Sequence, residues 1–402
     1  MKKRGLGGFF ENFLKREPIF EDKKALQSNY TPETILHRKE QIEQIAGILA
    51  PVLRLEKPSN LFIYGKTGTG KTLTIKYATQ QLLQISNKKK LPIKVFYINC
   101  KLKRVADTEY RLVAQLAREY GKEVPATGLP TDEIYRLFVE AMGEEKKILI
   151  IILDEVDQLI KKAGDEILYN LTRLSSELKN TEISLLGISN DLVFIDHIDP
   201  RVKSSLSEEE VLFPPYNALQ LQDILKQRAK IAFKNDVINE GVIEKCAAYA
   251  AREHGDARRA LELLRVSGEI AERKNQQKIT VDFLDLAEEK IERDRILDIV
   301  RTQPKQFQLT LLSILSSSPK HNNLIFTGEV YDIYKESCMK VGLKPLTQRR
   351  VSDIIAELDM LGIINTKVIS KGRYGRTREI TLAIPKSSIS NIQSILQEGL
   401  AI

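Results

Sequence analysis

Leu61-Phe62-Ile63-Tyr64-Gly65-Lys66-Thr67-Gly68-Thr69-Gly70-Lys71-Thr72 decides the fold of this chain. Its last eight residues spell G-x-x-x-x-G-K-[ST], and the four before them form an apolar run. A buried strand feeding such a loop, followed by a helix, presents unpaired backbone amides and the positive end of a helix dipole to an anion. Lys71 then supplies a point charge for the β- and γ-phosphates, and the Thr72 hydroxyl is suited to Mg²⁺. Residues Gly65, Thr67, Gly68, Thr69, Gly70, Lys71, Thr72 and Leu73 are therefore expected at a bound ATP or ADP.

Moving outward, further short apolar runs occur at 93–98, 148–153, 183–188 and 211–213, separated by amphipathic segments. Runs that are continuous rather than alternating predict strands buried on both faces, hence a parallel sheet covered by helices. The 148–153 run ends in Asp154-Glu155, with Asp157 just beyond. Carboxylates at the carboxyl end of a buried strand can hold Mg²⁺ and polarise an attacking water, so Asp154 is assigned to the metal and Glu155 to the base role. Asn190 follows the 183–188 run and could place that water. Arg201, in Asp199-Pro200-Arg201-Val202, could reach a neighbouring molecule's nucleotide or form a surface salt bridge. Gly255-Asp256-Ala257-Arg258-Arg259 puts guanidinium groups at a helix start, where they oppose the macrodipole, and a phosphate beside Arg258 would explain them. Tyr216 and Arg228 lie at the junction between two domains, where an aromatic could pack on a base.

A chain of 402 residues exceeds what one core serves, so two or three domains are expected. The boundaries read as a flexible arm over 1–20, an ATPase core over 21–215, a helical lid over 216–298 and a DNA-binding domain over 299–402. Helical periods over 39–54, 217–233, 239–253, 256–274 and 280–294 support this division, as does Pro214-Pro215 at the end of the last core run. No apolar stretch reaches the ~18 residues that span a bilayer, so no membrane partner is expected. Three scattered cysteines and four histidines show no metal-ligand spacing. Inert reduced thiols fit a reducing, cytoplasmic compartment.

The net charge of +8 is uneven: residues 301–402 carry 14 Lys/Arg against 8 Asp/Glu. Helical patterns at 305–317, 327–341 and 347–361 are followed by a strand–turn–strand pattern over 363–383. Thr347 can cap a helix with Val351, Ile354, Ile355, Leu358 and Leu361 on its apolar face. Gln348, Arg349 and Arg350 are then exposed on its first turn, the arrangement of a recognition helix. The hairpin tip holds Lys371, Arg373, Tyr374 and Arg376 around two glycines, as a phosphate-tracking wing would.

Together these stretches resemble the archaeal origin-recognition and replication-initiator family of AAA+ ATPases, relatives of the eukaryotic origin recognition complex. The resemblance rests on residues 30–40, 65–72, 153–157, 187–191, 199–206, 255–261 and 348–364, and covers nearly all of the chain from about residue 20. It implies an α/β AAA+ P-loop core with a parallel sheet of order 5-1-4-3-2, an all-α lid and a C-terminal winged-helix domain. It also implies an adenine pocket near 32–38, nucleotide contacts from Tyr216 and Arg228, Asn190 as sensor 1 and Arg258 as sensor 2. A helical, DNA-touching insertion is implied within 102–142. The expected function is ATP-dependent initiation of replication, with slow hydrolysis as a switch. The expected partners are origin double-stranded DNA, other initiator copies or paralogues, and the replicative helicase. A branch-migration-type motor and an ATP-gated transcription regulator remain open from the residues alone.

Overall fold

The computed structural model describes residues 10, 14, 16–101, 108–125, 128–143, 146–178, 180–206, 208–317, 325–370, 376–384 and 386–400. Internal contacts divide the chain into two compact units, Met1–Leu284 and Asp285–Ile402. In the first, α1 (Lys39–Leu49) and β1 (Asn60–Tyr64) lead through the glycine loop into α2 (Lys71–Lys88). The helix expected over 39–54 stops at Leu49, and Ala50–Arg54 continue as a 3-10 turn with Pro51 in its first positions. Then come β2 (Ile93–Asn99), α3 (Glu109–Glu119), α4 (Thr131–Met142), β3 (Lys147–Asp154), α5 (Val156–Ala163), α6 (Glu166–Glu177), β4 (Thr181–Ser189), α7 (Pro200–Leu206) and β5 (Glu208–Leu212).

The strand order is β5-β1-β4-β3-β2 and each pairing is parallel, as expected. β3 shows why its run is unbroken. Leu149, Ile151 and Leu153 face one apolar layer with Phe62, Leu185 and residues of α3 to α6, while Ile148, Ile150 and Ile152 face the other with Leu61, Ile63 and Ile75. A strand covered on both faces needs apolar side chains at both parities. Each such side chain contributes about 1.5–3 kcal/mol of burial. β5 departs from the reading of 211–213. It begins three residues earlier, in Glu208-Glu209-Glu210, and Val211 is its one buried residue. It sits at the sheet edge, where one flank faces water and acidic residues are tolerated.

Three helices follow in this unit, α8 (Ala218–Ala232), α9 (Val242–Arg252) and α10 (Ala257–Arg273). Asp256 caps α10 as expected, accepting from the amides of Arg258 at 2.7 Å and Arg259 at 3.3 Å. The unit boundary falls within α11 (Val281–Thr302). Residues 16–20, expected within a flexible arm, are tied down instead. The Glu21 amide donates to Ala232 O, Lys234 N donates to Ile19 O, and the rings of Phe20 and Phe233 stack at 4.7 Å. Ile19 is buried beneath them, which explains why this apolar stretch is not free.

The second unit contains α12 (Lys305–Ser317), β6 (Ile325–Phe326), α13 (Thr327–Val341), α14 (Gln348–Met360), β7 (Ile364–Ser370), β8 (Arg376–Leu382) and α15 (Lys386–Leu400). Its sheet runs β6-β8-β7, antiparallel throughout, and its core joins Leu311, Tyr334, Ile355 and Ile380 to Ile392 and Leu396 of α15. This is a winged helix with one added helix, α15, that the sequence reading did not place.

Candidate nucleotide-binding site

The loop after β1 depends on glycine at three points. Gly68 and Gly70 hold φ of +69° and +92°. A Cβ at Gly65 would lie 2.6 Å from Phe213 O, and one at Gly68 would lie 1.6 Å from an Asp256 carboxylate oxygen. The Lys71 ammonium is buried and donates to Gly65 O at 2.7 Å, Lys66 O at 2.8 Å and Asn190 Oδ1 at 2.8 Å. Burial pushes its pKa down to about 8, with the Arg258 charge adding to the effect and Asp154 opposing it.

The acidic end of β3 lies across the same space. Asp154 Oδ2 accepts from Thr72 Oγ1 at 2.9 Å and from the Tyr97 hydroxyl. Tyr97 comes from β2, the neighbouring strand in register. The sequence reading missed it, although a polar residue near the carboxyl end of a core strand was the available signal. Glu155 adopts a left-handed conformation, φ +57°, and lies 3.7 Å from Lys101 Nζ. Such a backbone costs a non-glycine residue of order 1–3 kcal/mol and recurs at functional sites. Asp157 is buried beneath, accepting from Gln158 and Ser189. Gly68, Thr69, Gly70, Lys71, Thr72, Asp154, Glu155, Asn190 and Arg258 together line a polar cavity of about 270 Å³.

A second cavity of about 180 Å³ adjoins it, sharing Gly68, Gly70, Thr72 and Arg258. Its walls include residues Tyr30, Pro32, Leu36, Leu73, Tyr216 and Arg228. Pro32, Thr34, Ile35 and Leu36 of the expected 32–38 stretch line it, whereas Arg38 turns away behind the loop. Arg228 is buried, its guanidinium carbon lies 4.5 Å from the Tyr30 ring centroid, and its Nη1 has no hydrogen-bond partner among the described residues. Burial lowers its pKa, though a guanidinium stays charged. A buried cationic donor beside a cavity is costly unless it finds an acceptor. The start of α10 touches the loop directly, Ala257 N donating to Gly68 O at 3.2 Å.

Three assigned residues stay apart. Gly65 and Thr67 flank the cavities without lining them, Gly65 buried and Thr67 exposed. Arg201 lies on the surface, 88% exposed, paired with Asp199 at 3.2 Å beside Tyr169 rather than at the loop. In the second unit, Thr347 caps α14 and Gln348, Arg349 and Arg350 are exposed on its first turn, with Arg350 3.6 Å from Asp353. Val351, Ile354, Ile355 and Leu358 are buried on the opposite face. Lys371, Arg373 and Tyr374 lie outside the described residues; Arg376 opens β8, paired in register with Ser370, and its side chain lies outside them too.

A phosphate loop after β1, acids at the end of β3, this strand order, a helical lid and a winged helix define a nucleotide-binding protein with an AAA+ core. Family models match in the same order: "AAA domain" over residues 54–193, "Cdc6 AAA+ ATPase-type lid domain" over 222–289 and "CDC6, C terminal winged helix domain" over 298–392. The chain is 52% identical over 400 residues to the ORC1-type DNA replication protein 1 of Methanosarcina acetivorans, covering 99% of this chain and 95% of that one. It is 52% identical over 391 residues to the ORC1-type DNA replication protein of Thermococcus onnurineus, covering 96% and 94%. The solved Aeropyrum pernix ORC1 protein in complex with DNA superposes with a TM-score of 0.82 at 43% identity, over 95% of this chain and 98% of that one. The chain belongs to the family of ORC1-type DNA replication proteins.

Proposed function

We propose that this chain is an ATP-controlled initiator of DNA replication that binds origin duplex through its winged helix and its α3–α4 insertion. The observation that carries this reading is the 43% identity, along almost the whole chain, to a protein solved in complex with DNA. The exposed Gln348, Arg349 and Arg350 fit a major groove, where a bidentate arginine discriminates a guanine by about 1–3 kcal/mol. Lys371, Arg373, Tyr374 and Arg376 are assigned to the wing that follows phosphates or enters a minor groove.

In the nucleotide pocket, the loop amides of residues 68–72 hold phosphate oxygens and Lys71 exchanges its carbonyl acceptors for them. Arg228, Tyr216, Tyr30 and Leu73 surround base and ribose, and Arg228 Nη1 finds there the acceptor it lacks. Thr72 Oγ1 and Asp154, hard oxygen donors 2.9 Å apart, suit Mg²⁺ together with phosphate and water oxygens. A magnesium ion there would neutralise charge on the transferred phosphoryl group. Glu155 takes the base role, Asn190 places the water, and Arg258 meets the terminal phosphate from the lid. Arg201, free of its own pocket, is assigned to the nucleotide of a neighbouring copy. Hydrolysis is slow and serves as a switch, since a lid closed over product retains ADP. Other initiator copies and the replicative helicase are the protein partners, in a cytoplasmic, nucleoid-associated setting.

Protection of genomic DNA by the purified full chain, with and without ATP, tests this reading. Discrete protected sites at replication start regions, altered by nucleotide, are expected. Uniform protection that ignores both sequence and nucleotide would refute it.

A further inference from the structure

Arg38 is among the most buried charges of the molecule, 2% exposed, yet no carboxylate among the described residues pairs with it. Its guanidinium instead donates to three backbone carbonyls. Nε reaches Thr69 O in the phosphate loop at 2.9 Å, Nη1 reaches His37 O at 3.1 Å, and Nη2 reaches Pro214 O at 2.6 Å. The guanidinium carbon also sits 3.8 Å from the Tyr216 ring centroid and 5.5 Å from that of Phe213. One side chain thus grips the phosphate loop and the two residues that bracket the passage from sheet to lid.

A loop that presents amides to phosphate must turn its carbonyls the other way, where each needs a donor. Arg38 is that donor for Thr69, the residue between the two left-handed glycines Gly68 and Gly70. A Cβ at Gly70 would lie 2.8 Å from the Tyr216 hydroxyl and 3.9 Å from Arg38 Nε, so both groups are packed against the back of the loop. A cation satisfied only by neutral carbonyls keeps its net charge, and that charge lies directly behind the place assigned to a polyanion. Arg38 touches the base cavity through Tyr216, whereas the wall formed before α1 has ties of its own. That wall, residues 27–32 and 34–36, is held to the lid by Gln227 on Thr34 at 2.9 Å, and the chain on either side of it by His37 on Asp223 at 3.0 Å and Lys23 on Glu269 at 2.7 Å.

We propose that Arg38 is a positioning residue for the phosphates of the bound nucleotide, setting the Thr69 peptide and coupling the loop to the lid junction at Pro214. This rests on the nucleotide reading of the pocket. Lysine keeps the charge but cannot span three carbonyls, and methionine removes both, so the pair separates geometry from charge.

The test is titration of the full chain, Arg38→Lys and Arg38→Met with ADP, whose β-phosphate meets the loop, and with AMP, which lacks it. Both variants are expected to lose about tenfold or more in ADP affinity, the worth of one hydrogen bond to a charged group. AMP affinity should change by less than about threefold, since the base wall has its own ties. Unchanged ADP binding in both variants overturns the proposal, as does parallel loss of ADP and AMP, which would mark a merely structural role. Should the unaltered chain bind neither nucleotide, the pocket reading itself falls, and the assignment of Arg38 with it. Arg38→Lys, the conservative change, keeps the question answerable if Arg38→Met fails to fold.

Discussion

Two buried cations set the behaviour of the pocket at the level of single residues. Lys71 has its pKa lowered to about 8 by burial, so the free protein loses that charge as pH rises through about 8. Binding an anion then requires taking a proton up. Affinity for ADP should be flat below pH 8 and fall by up to tenfold per unit above it, the slope of one linked proton. Stability moves the other way. Between about 8 and the ordinary lysine value the unfolded chain holds the extra proton, so this residue favours folding more as pH rises. Titration with ADP at pH 7, 8 and 9 reads the first effect, and a profile flat to pH 9 would exclude Lys71 from the phosphates. Arg228 behaves differently because it stays charged and has an unpaired donor. Arg228→Met should leave the unliganded protein as stable or more stable, by about 1–2 kcal/mol at most, since an isolated buried charge is removed. The same change should lower the gain in melting temperature that ADP confers; an undiminished gain would place Arg228 outside the site.

Among elements, α10 is packed with no room for a side chain at one position. Gly268 lies on its buried face, and a Cβ there would come 2.7 Å from Phe20 Cζ and 2.9 Å from Phe233 Cε1. Gly268→Ala gains up to about 1 kcal/mol of helix propensity and loses about 1–3 kcal/mol to overpacking, so net destabilisation is expected in chemical denaturation. A stabilised variant would mean that Phe20 moves aside without cost. The sequence reveals α10 by its period and its Asp256 cap, but not Phe20 as its neighbour, because nothing local links residues 20 and 268. β5 was half legible for a related reason. Its inward Val211 reads as core, while Glu208 to Glu210 read as loop until the strand is known to lie at an edge. Tyr97 escaped notice because a tyrosine in an apolar strand also reads as packing, and only the register that sets β2 beside Asp154 makes it polar machinery.

Across the whole molecule, the parallel sheet was legible because its strands are apolar at both parities, while its order came from the family resemblance and not from the runs themselves. The winged helix was legible because one amphipathic helix precedes a basic hairpin. Arg38 was not, since its partners at positions 69 and 214 are distant in sequence and are backbone atoms, which leave no trace in residue identity. The tethering of residues 16–37 was equally hidden. Glu17 meets Lys234 and Gln277, Phe20 meets Phe233, and Thr34 and His37 meet Gln227 and Asp223. On the ribosome, then, residues 16–37 must wait for partners 186 to 260 residues further along before they can dock. A nascent chain released short of residue 223 carries the complete loop of residues 65–72 yet leaves the wall of its base cavity without its ties at His37 and Thr34, so fuel sensing is withheld until translation has entered the lid.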